Sequence, residues 1–577
     1  MKDIQHKLAV ARGETPADLV FRNARIVNVL SGDIHSGDVA VSGGRIVALD
    51  DNGAEARYNG REVFDLEGRY LAPAFIDGHM HVESTMLTVS EFAKAVVPHG
   101  TGAVVIDPHE YANVVGLEGI DYILEAARTV PLSIFVMMSS CVPATPLETS
   151  GAILDADDIA SRLHHPNVAG VAEMMNFPGV FLGWESELRK IALGRGQRVD
   201  GHAPGLGGGK LNAYILAGVE SDHECTTLEE ARAKLRRGMH ILLREGTAER
   251  NLLDLLPLVN AANARHFSFA TDDKHPADLQ DEGHIDHHVR VAIALGLDPI
   301  LAFQLASINT ARHYRLRNLG AIAPRYHADL IVFDDLRDVR PSLVFHRGRL
   351  VAQDGRFLPA DATVVDDAKL RGTMHVKPFG SEALALPAKA GRKIRLIELV
   401  PRQIVTRASE IDPLLVDGFV AADPSRDILK LAVIERHKAT GNIGIGFVRG
   451  FGLRRGALAS TVAHDAHNII VVGASDSDMH CAAEELVRMG GGQCVVADGV
   501  VLERLELPIC GLVSDQPLQA VREKVDDLLA ASQQLGGVLP DPFMTLSFLA
   551  LSPIPELKVT DLGLVDATRF ELTDLFL

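Results

Sequence analysis

Two histidines, His79 and His81, follow the apolar segment 71–76 and point most directly to chemistry in this chain. Residues two apart on an extended segment project from the same side of a strand. Imidazole is the commonest metal ligand among side chains. The pair therefore predicts a metal ion at the end of a strand, although an isolated His-x-His is weak evidence because most such pairs bind no metal.

Further candidate ligands follow other short apolar segments in the same part of the chain. Glu173, His202, His223 and Asp272 each come directly after such a segment or close behind it. Any one carboxylate in this position is more simply a turn residue or a helix N-cap. Because ligands recur after five segments, the sequence predicts one metal centre with nitrogen and oxygen ligands. A set without thiolates suits Mn, Fe(II) or Zn.

The number of candidate ligands favours two divalent transition metal ions over one. We expect a binuclear centre with His79, His81 and Asp272 around one ion, His202 and His223 on the other, and Glu173 as the bridge. Metal ions lower the pKa of bound water towards about 7, which makes hydroxide available at neutral pH. Asp272 can accept the proton of that water. The centre therefore predicts hydrolysis, in which metal-activated hydroxide attacks an electrophilic carbon.

The segments that carry these residues alternate with helical patterns, which is typical of an α/β fold with parallel strands. We predict a (β/α)8 TIM-like catalytic barrel over residues 73–315, because barrels of this kind carry their chemistry where the strands end. The predicted strands are 71–76, 103–106, 133–137, 168–172, 198–200, 218–221, 241–243 and 267–270.

Two other regions flank the barrel. Short strand-like segments punctuated by Gly and Asp occur on both sides of it, and we predict that residues 1–72 and 316–378 form one small, discontinuous β-sandwich domain. Residues 379–577 mix strand and helix patterns without the eightfold count, and we predict a C-terminal α+β domain there.

Composition excludes several classes of protein. The 577 residues carry 57 Lys and Arg against 76 Asp and Glu, a net charge of −19, which argues against a nucleic-acid partner. No apolar run approaches the ~18 residues of a membrane span, and residues 1–7 give no export signal. The five cysteines form no CxxC pair, which favours a reduced, cytoplasmic setting.

Longer sequence motifs resemble those of the adenine deaminase branch of the amidohydrolase superfamily. The most specific motifs are residues 79–86 (HMHVESTM), 201–206 (GHAPGL) and 211–218 (LNAYILAG). Four other segments are also similar: 107–113, 221–225, 450–456 and 462–468. Cyclic-amide hydrolases of that superfamily place a carboxylated lysine on the fourth strand, whereas this chain offers Glu173. The resemblance implies hydrolytic deamination of adenine to hypoxanthine and ammonia with Mn or Fe.

Chemistry of this kind needs groups that handle protons and hold the purine. Attack at C6 of adenine requires protonation or polarisation of N1 and protonation of the departing amine. Asp272 is the candidate proton shuttle. Glu83 and His109 are candidates for catalysis and purine contact, and Glu110 is a candidate for purine contact. Each also has a simpler interpretation as part of a loop ion pair.

Several alternatives stay open on the sequence. The nearest is a cyclic-amide hydrolase of the dihydroorotase or hydantoinase kind, or a deaminase of another small heterocycle; a metal-holding regulatory subunit is more distant. A second histidine group, His437, His464 and His467, has either a structural role or helps to close the site. We interpret Arg244 and Glu245 as an ion pair. A homodimer or higher homo-oligomer is expected.

Overall fold

A computed structural model describes residues 1–50, 58–358, 365–401 and 403–577. The first region is rich in strands, in agreement with its Gly and Asp punctuation. Its elements are α1 (Lys2–Ala11), β1 (Ala17–Asn28), β2 (Asp33–Ser42), β3 (Arg45–Asp50), β4 (Gly60–Asp65) and β5 (Tyr70–Pro73). Strand β1 pairs antiparallel with β2 and parallel with β4 and β5.

Eight parallel strands follow and form two hydrogen-bonded sheets. The strands are β6 (Phe75–Met80), β7 (Thr101–Ile106), β8 (Ser133–Met138), β9 (Val168–Met174), β10 (Arg198–Gly201), β11 (Ser221–Asp222), β12 (His240–Arg244) and β13 (Phe267–Ala270). Strands β6 to β10 form one sheet and β11 to β13 the other. Most are buried along their whole length, as parallel strands covered on both faces are.

Two contacts close these sheets into a TIM-like barrel. The N–H of Glu220 donates to the carbonyl of Val199, which joins the β10 side to the β11 side. Met80 forms a parallel bridge with Asp272, which brings the end of β13 beside β6. Each predicted strand segment overlaps one of the eight strands, and the prediction of a mixed α/β fold with a TIM-like barrel is confirmed.

The first predicted strand, 71–76, is wrong as a single element. Residues up to Pro73 belong to β5, and β6 begins at Phe75. Pro73 has no N–H to donate to a ladder, and beyond it Ala74 donates to Asp329 in the flanking sheet while Phe75 donates to Gly100 in the barrel. The chain therefore passes from one sheet to the other within a single apolar run.

Helices alternate with the barrel strands. They are α2 (Val89–Val96), α3 (His109–Val115), α4 (Leu117–Ala126), α5 (Ala156–Arg162), α6 (Phe177–Leu182), α7 (Glu185–Leu193), α8 (Gly208–Ala217), α9 (Leu228–Leu235), α10 (Leu252–Leu255), α11 (Pro276–Asp281), α12 (Ile285–Ala294), α13 (Pro299–Leu305) and α14 (Ile308–His313). Within the described ranges, no helix is long and apolar enough to cross a membrane.

After the barrel the chain returns to the first sheet. The returning strands are β14 (Leu330–Phe333), β15 (Leu343–His346), β16 (Arg349–Gln353) and β17 (Arg356–Phe357). Strand β14 pairs antiparallel with β5, so strands from both flanks of the barrel join one sheet.

The last region contains a large sheet, two smaller sheets and three helices. Its strands are β18 (Leu386–Pro387), β19 (Ile394–Leu399), β20 (Thr406–Ile411), β21 (Leu414–Val416), β22 (Phe419–Ala421), β23 (Ile428–Ile434), β24 (Ile443–Arg449), β25 (Ala457–Ser460), β26 (Ile469–Gly473), β27 (Gly492–Ala497), β28 (Val500–Glu506), β29 (Leu557–Thr560), β30 (Gly563–Asp566) and β31 (Glu571–Leu572). Its helices are α15 (Asp476–Met489), α16 (Leu518–Gln534) and α17 (Pro542–Ser547).

This last region packs against the barrel. The Nδ1 atom of His275, which follows β13, lies 2.7 Å from a carboxylate oxygen of Asp541. The amide of Asn468 donates to the carbonyl of Thr149 over 2.8 Å. Both barrel residues lie in loops that follow the carboxyl ends of strands. The last region therefore covers the end of the barrel at which the candidate ligands lie.

Candidate metal centre

All six predicted ligands meet at the carboxyl ends of the barrel strands. His79 lies in β6 and His81 just beyond it, Glu173 lies in β9, and the others follow three further strands: His202 after β10, His223 after β11 and Asp272 after β13. Every one of the six side chains is buried. Parallel strands bring residues far apart in sequence to one edge, which is why the set converges.

Glu173 lies between two pairs of histidines. Its Oε1 is 3.7 Å from Nε2 of His79 and 3.4 Å from Nε2 of His81. Its Oε2 is 2.7 Å from Nδ1 of His202 and 3.2 Å from Nε2 of His223. One carboxylate therefore presents a different oxygen to each pair, which is the arrangement that a bridging ligand requires.

Asp272 faces the first pair from the end of the neighbouring strand, β13. Its Oδ1 is 3.2 Å from Nε2 of His81 and 3.7 Å from Nε2 of His79. The residue has a φ of 61°, a left-handed conformation that costs free energy for a non-glycine residue. Its N–H donates to the carbonyl of His79, and this bond holds the strained backbone beside β6.

Hydrogen bonds also fix which nitrogen of His81 faces the centre. Its Nδ1 lies 2.9 Å from the carbonyl of Asp107 and donates to it, because a carbonyl can only accept. In the neutral ring Nε2 then carries the lone pair and faces Glu173 and Asp272. A second hydrogen bond that sets the tautomer in this way is typical of histidines that bind metals.

The electrostatics of the cluster fit divalent cations. Burial alone would raise the pKa of Glu173, but hydrogen bonds from His202 and His223 hold that pKa well below its ordinary value. Burial would likewise raise the pKa of Asp272, and the charge of Arg244 outweighs it and lowers that pKa. Burial lowers the pKa of His79 to about 3. The two ionised carboxylates and the neutral ring of His79 can act as donors to a cation. At His81, His202 and His223 the nearby carboxylates outweigh burial and raise the pKa, so these rings must lose a proton to bind a metal.

Buried polar atoms without partners support the same conclusion. Among the described residues, Nε2 of His79, Oε1 of Glu173 and Nε2 of His202 have no hydrogen-bond partner. An unsatisfied buried polar group is costly unless something binds it. Several sets of three side chains among the described residues are close enough to share one ion, and Glu173 belongs to two of them: one with His79 and His81, the other with His202 and His223.

Among the residues that the structure describes, no lysine lines the cavity of the centre. The nearest lysine in the sequence to Glu173, Lys190, donates its ammonium to the carbonyl of Ser140 and lies 3.6 Å from Glu187. The glutamate therefore occupies the position between the two pairs of histidines, which the cyclic-amide hydrolases give to a carboxylated lysine.

The three other candidates lie at the edge of the centre or behind it. His109, at the start of α3, lines the cavity with Nδ1 3.0 Å from Asp107 and 3.5 Å from Glu173. Glu83 accepts a hydrogen bond from the N–H of Tyr111, and burial raises its pKa to about 7. Glu110 accepts a hydrogen bond from Ser84. Neither glutamate is among the residues that line the cavity.

The second histidine group divides by location. His464 lines the cavity above the centre. His437 donates from Nε2 to the carbonyl of Ala466 over 2.6 Å, a structural role. His467 accepts the N–H of Ala463 at Nδ1, so in the neutral ring its Nε2 carries the proton. That Nε2 lies 3.6 Å from Glu110 and is suited to donating to it.

A small cavity of about 20 Å³ lies above the centre. Several lining residues were not predicted: Met175, Glu224, Glu249, Asp273, Ile404, Asp465, Phe548 and Leu551, together with Arg244. The strand-end argument could have found Arg244 and Glu224, because each follows the same rule as the ligands. Nothing in the barrel pattern indicates the residues beyond 400.

The predicted ion pair between Arg244 and Glu245 is wrong. Nη1 of Arg244 binds Glu224 over 2.5 Å and also binds Asp272. Glu245 instead lies 3.8 Å from Arg250. Consecutive residues on a strand point to opposite faces, so Arg244 faces the centre and its neighbour does not.

A buried cluster of histidines and carboxylates at the strand ends of a TIM-like barrel is typical of metal-dependent hydrolases. Residues 70–351 match the amidohydrolase family, and residues 403–571 match the adenine deaminase C-terminal domain. The adenine deaminase 2 of Carboxydothermus hydrogenoformans is 49% identical over 100% of both chains. The adenine deaminase of Desulfatibacillum aliphaticivorans is 50% identical over 99% of both, and that of Kosmotoga olearia is 44% identical over 99% of this chain and 98% of its own. The chain belongs to the adenine deaminase family, as its sequence motifs predict.

Proposed function

We propose that this protein is an enzyme that hydrolyses adenine to hypoxanthine and ammonia. One observation carries the proposal: the two oxygens of Glu173 face two separate pairs of histidines at 2.7–3.7 Å, beneath a cavity at the end of the barrel. The adenine deaminases that match the chain over its full length supply the substrate.

The six ligands are assigned to two divalent transition metal ions, with Mn or Fe(II) preferred and Zn as an alternative. His79, His81 and Asp272 would hold one ion, His202 and His223 would hold the other, and Glu173 would be shared by both. Cations bound there would lower the pKa of water and so supply hydroxide at neutral pH.

The chain's own residues handle the proton and orient the purine. Asp272, held by Arg244 and by its own left-handed backbone, is placed to accept a proton from water and return it to the departing amine. His109 lines the cavity and is assigned to catalysis and to contact with the purine. For Glu83 and Glu110 these roles remain predictions. The Ser84 hydroxyl lies within hydrogen-bond distance of both Glu110 and Asp273, and Asp273 lines the cavity.

The proposal also covers the domain organisation and the cellular location of the protein. We assign residues 1–72 and 316–378 to one β-sandwich domain, 73–315 to the catalytic barrel and 379–577 to the C-terminal α+β domain; the pairing of β5 with β14 supports the first of these. A cytoplasmic location fits the cysteines, all of which lie in described residues and are free thiols. Homo-oligomerisation stays an expectation from the sequence.

The test is adenine-to-hypoxanthine absorbance together with ammonia release, after reconstitution with Mn or Fe(II). Glu173→Gln keeps the size of the side chain but removes the charge that bridges the ions, and a loss of at least about a hundredfold in rate is expected. Glu185→Gln, on an exposed face of α7, is the control and should retain full rate.

Two results would overturn the proposal. A metal-loaded protein that opens the ring of hydantoin or dihydroorotate but releases no ammonia from adenine would be a cyclic-amide hydrolase. A Glu173→Gln protein with a near-normal rate and two bound metal ions would remove the bridging role.

A further inference from the structure

The cavity above the metal centre has a wall that comes from the last third of the chain. Its members from that region are Ile404, His464, Asp465, Phe548 and Leu551. Three of them are apolar or aromatic, and two carry polar groups that face a water-poor space. A planar heterocycle has two apolar faces and a polar edge, and this wall offers partners for both.

His464 supplies a flat surface and a polar atom to this wall. Its ring stacks on Phe548 with centroids 4.8 Å apart and an interplanar angle of 15°. Burial lowers the pKa of His464, so the ring is neutral at ordinary pH. Its Nε2 is buried and has no hydrogen-bond partner in the part of the chain that the structure describes. A neutral imidazole in this state can donate to a ligand or accept from one.

Asp465 presents a carboxylate oxygen to the same space. The residue is 1% exposed, and its Oδ1 lies 3.4 Å from Nε2 of His109. Its Oδ2 is buried, and none of the described residues donates to it. Leaving a buried acceptor unmatched is unfavourable. A ligand N–H would remove that cost.

Hydrogen bonds hold the wall in place without a ligand. Lys558 is fully buried, and its ammonium donates to the carbonyl of Ile404 over 2.7 Å and to that of Phe548 over 3.0 Å. Asn468 ties the segment after Asp465 to Thr149 of the barrel. The side chains are therefore pre-organised for binding.

We propose that His464 and Asp465 determine specificity by binding the imidazole edge of a free purine base, with Asp465 accepting a ring N–H. This inference rests on the proposed function, because C6 must face Glu173 and Asp272 and the opposite edge of the purine then faces the C-terminal wall. A free base carries an N–H on that edge. A nucleoside has a glycosidic bond there, so it cannot donate to Asp465 from that position.

The test measures binding of hypoxanthine and 9-methylhypoxanthine to the metal-loaded protein by titration calorimetry. Neither ligand carries the leaving amine, so binding is measured without turnover. The wild type should bind hypoxanthine at least tenfold more tightly than 9-methylhypoxanthine. A site whose buried acceptor pairs with a ligand N–H binds an analogue without that N–H more weakly. Asp465→Ala should weaken hypoxanthine binding at least tenfold and reduce the preference below threefold. The control Asp526→Asn, on an exposed face of α16, should behave as the wild type.

A second pair of variants separates packing from hydrogen bonding. His464→Phe keeps the stack on Phe548 but loses Nε2, and should raise KM for adenine about tenfold with kcat within threefold. His464→Ala loses both features and should raise KM further. If Asp465→Ala does not fold, Asp465→Asn replaces it, with a preference reduced severalfold because an amide oxygen is a weaker acceptor.

The results that overturn this inference differ from those that overturn the proposed function. A wild type that deaminates adenine but shows no preference for hypoxanthine contradicts it. So does an Asp465 variant with two metal ions and an unchanged preference, or an unchanged KM in both His464 variants. A metal-loaded wild type that releases no ammonia from adenine removes the proposed function itself.

Discussion

The guanidinium of Arg244 binds the carboxylate of Asp272, and the same nitrogen binds Glu224 over 2.5 Å. The three side chains are buried and come from the ends of three different barrel strands. One guanidinium therefore pairs with two carboxylates in the interior and fixes the position of the residue assigned to proton transfer.

Replacing Arg244 with Met should lower stability by about 3–5 kcal/mol, because it leaves two buried carboxylates without their partner. Activity should fall at least tenfold, since Asp272 loses the contact that positions it. Thermal unfolding and kcat/KM for adenine measure the two effects. Arg250→Met, which removes a partly exposed arginine from the following loop, should change both far less. Equal effects of the two variants would contradict the role of Arg244.

Asp77 joins the first and last barrel strands beneath the ligands. It accepts hydrogen bonds from the N–H of His79 and from both the N–H and the hydroxyl of Thr271. Asp77→Asn replaces an acceptor with a donor that faces other donors, and should cost about 1–3 kcal/mol. The thermal midpoint should fall relative to the exposed control Asp254→Asn. A midpoint equal to that of the control would show that this carboxylate does not help to close the barrel.

The buried carboxyl of Glu148 should make the stability of the fold depend on pH. Its carboxylate accepts from Thr145 and Ser552, and burial raises its pKa to about 8. The folded protein binds this proton more tightly than the unfolded chain does, so the contribution is complete below about pH 4.5 and is lost as pH rises towards 8. The loss is at most about 1.4 kcal/mol per pH unit.

Glu148→Gln keeps an acceptor but cannot ionise, so its stability should fall less than that of the wild type between pH 5 and pH 8. Thermal midpoints measured across that range provide the comparison. Glu125→Gln, on an exposed face of α4, should follow the wild type. If the Glu148 variant shows the same pH slope as the wild type, the buried carboxyl is not the cause.

Removing the metal ions should abolish deamination and weaken the fold. Without cations, Glu173 and Asp272 repel each other across a buried space. We expect a chelated, dialysed protein to have less than about 1% of its activity, a lower thermal midpoint, and full recovery with two equivalents of Mn or Fe(II) per chain. Elemental analysis measures the stoichiometry. Full activity in a protein without bound metal would exclude the assigned chemistry.

Much of the barrel could be predicted because its signals are local. Buried parallel strands have continuous apolar runs such as residues 103–106, and each run ends where a polar residue begins. The prediction of one strand over residues 71–76 was wrong because two strands in different sheets share one apolar pattern. Periodicity does not show which sheet a residue joins.

The sequence by itself determined the types of ligand and their positions at strand ends, because side-chain chemistry and the parallel-strand rule act along the chain. Only the tertiary structure decided that Arg244 binds Asp272 and Glu224 rather than its neighbour, and that His464 and Asp465 complete the cavity of a barrel that ends more than a hundred residues earlier. Those contacts depend on strand orientation and on how two regions pack, and neither leaves a local pattern in the sequence.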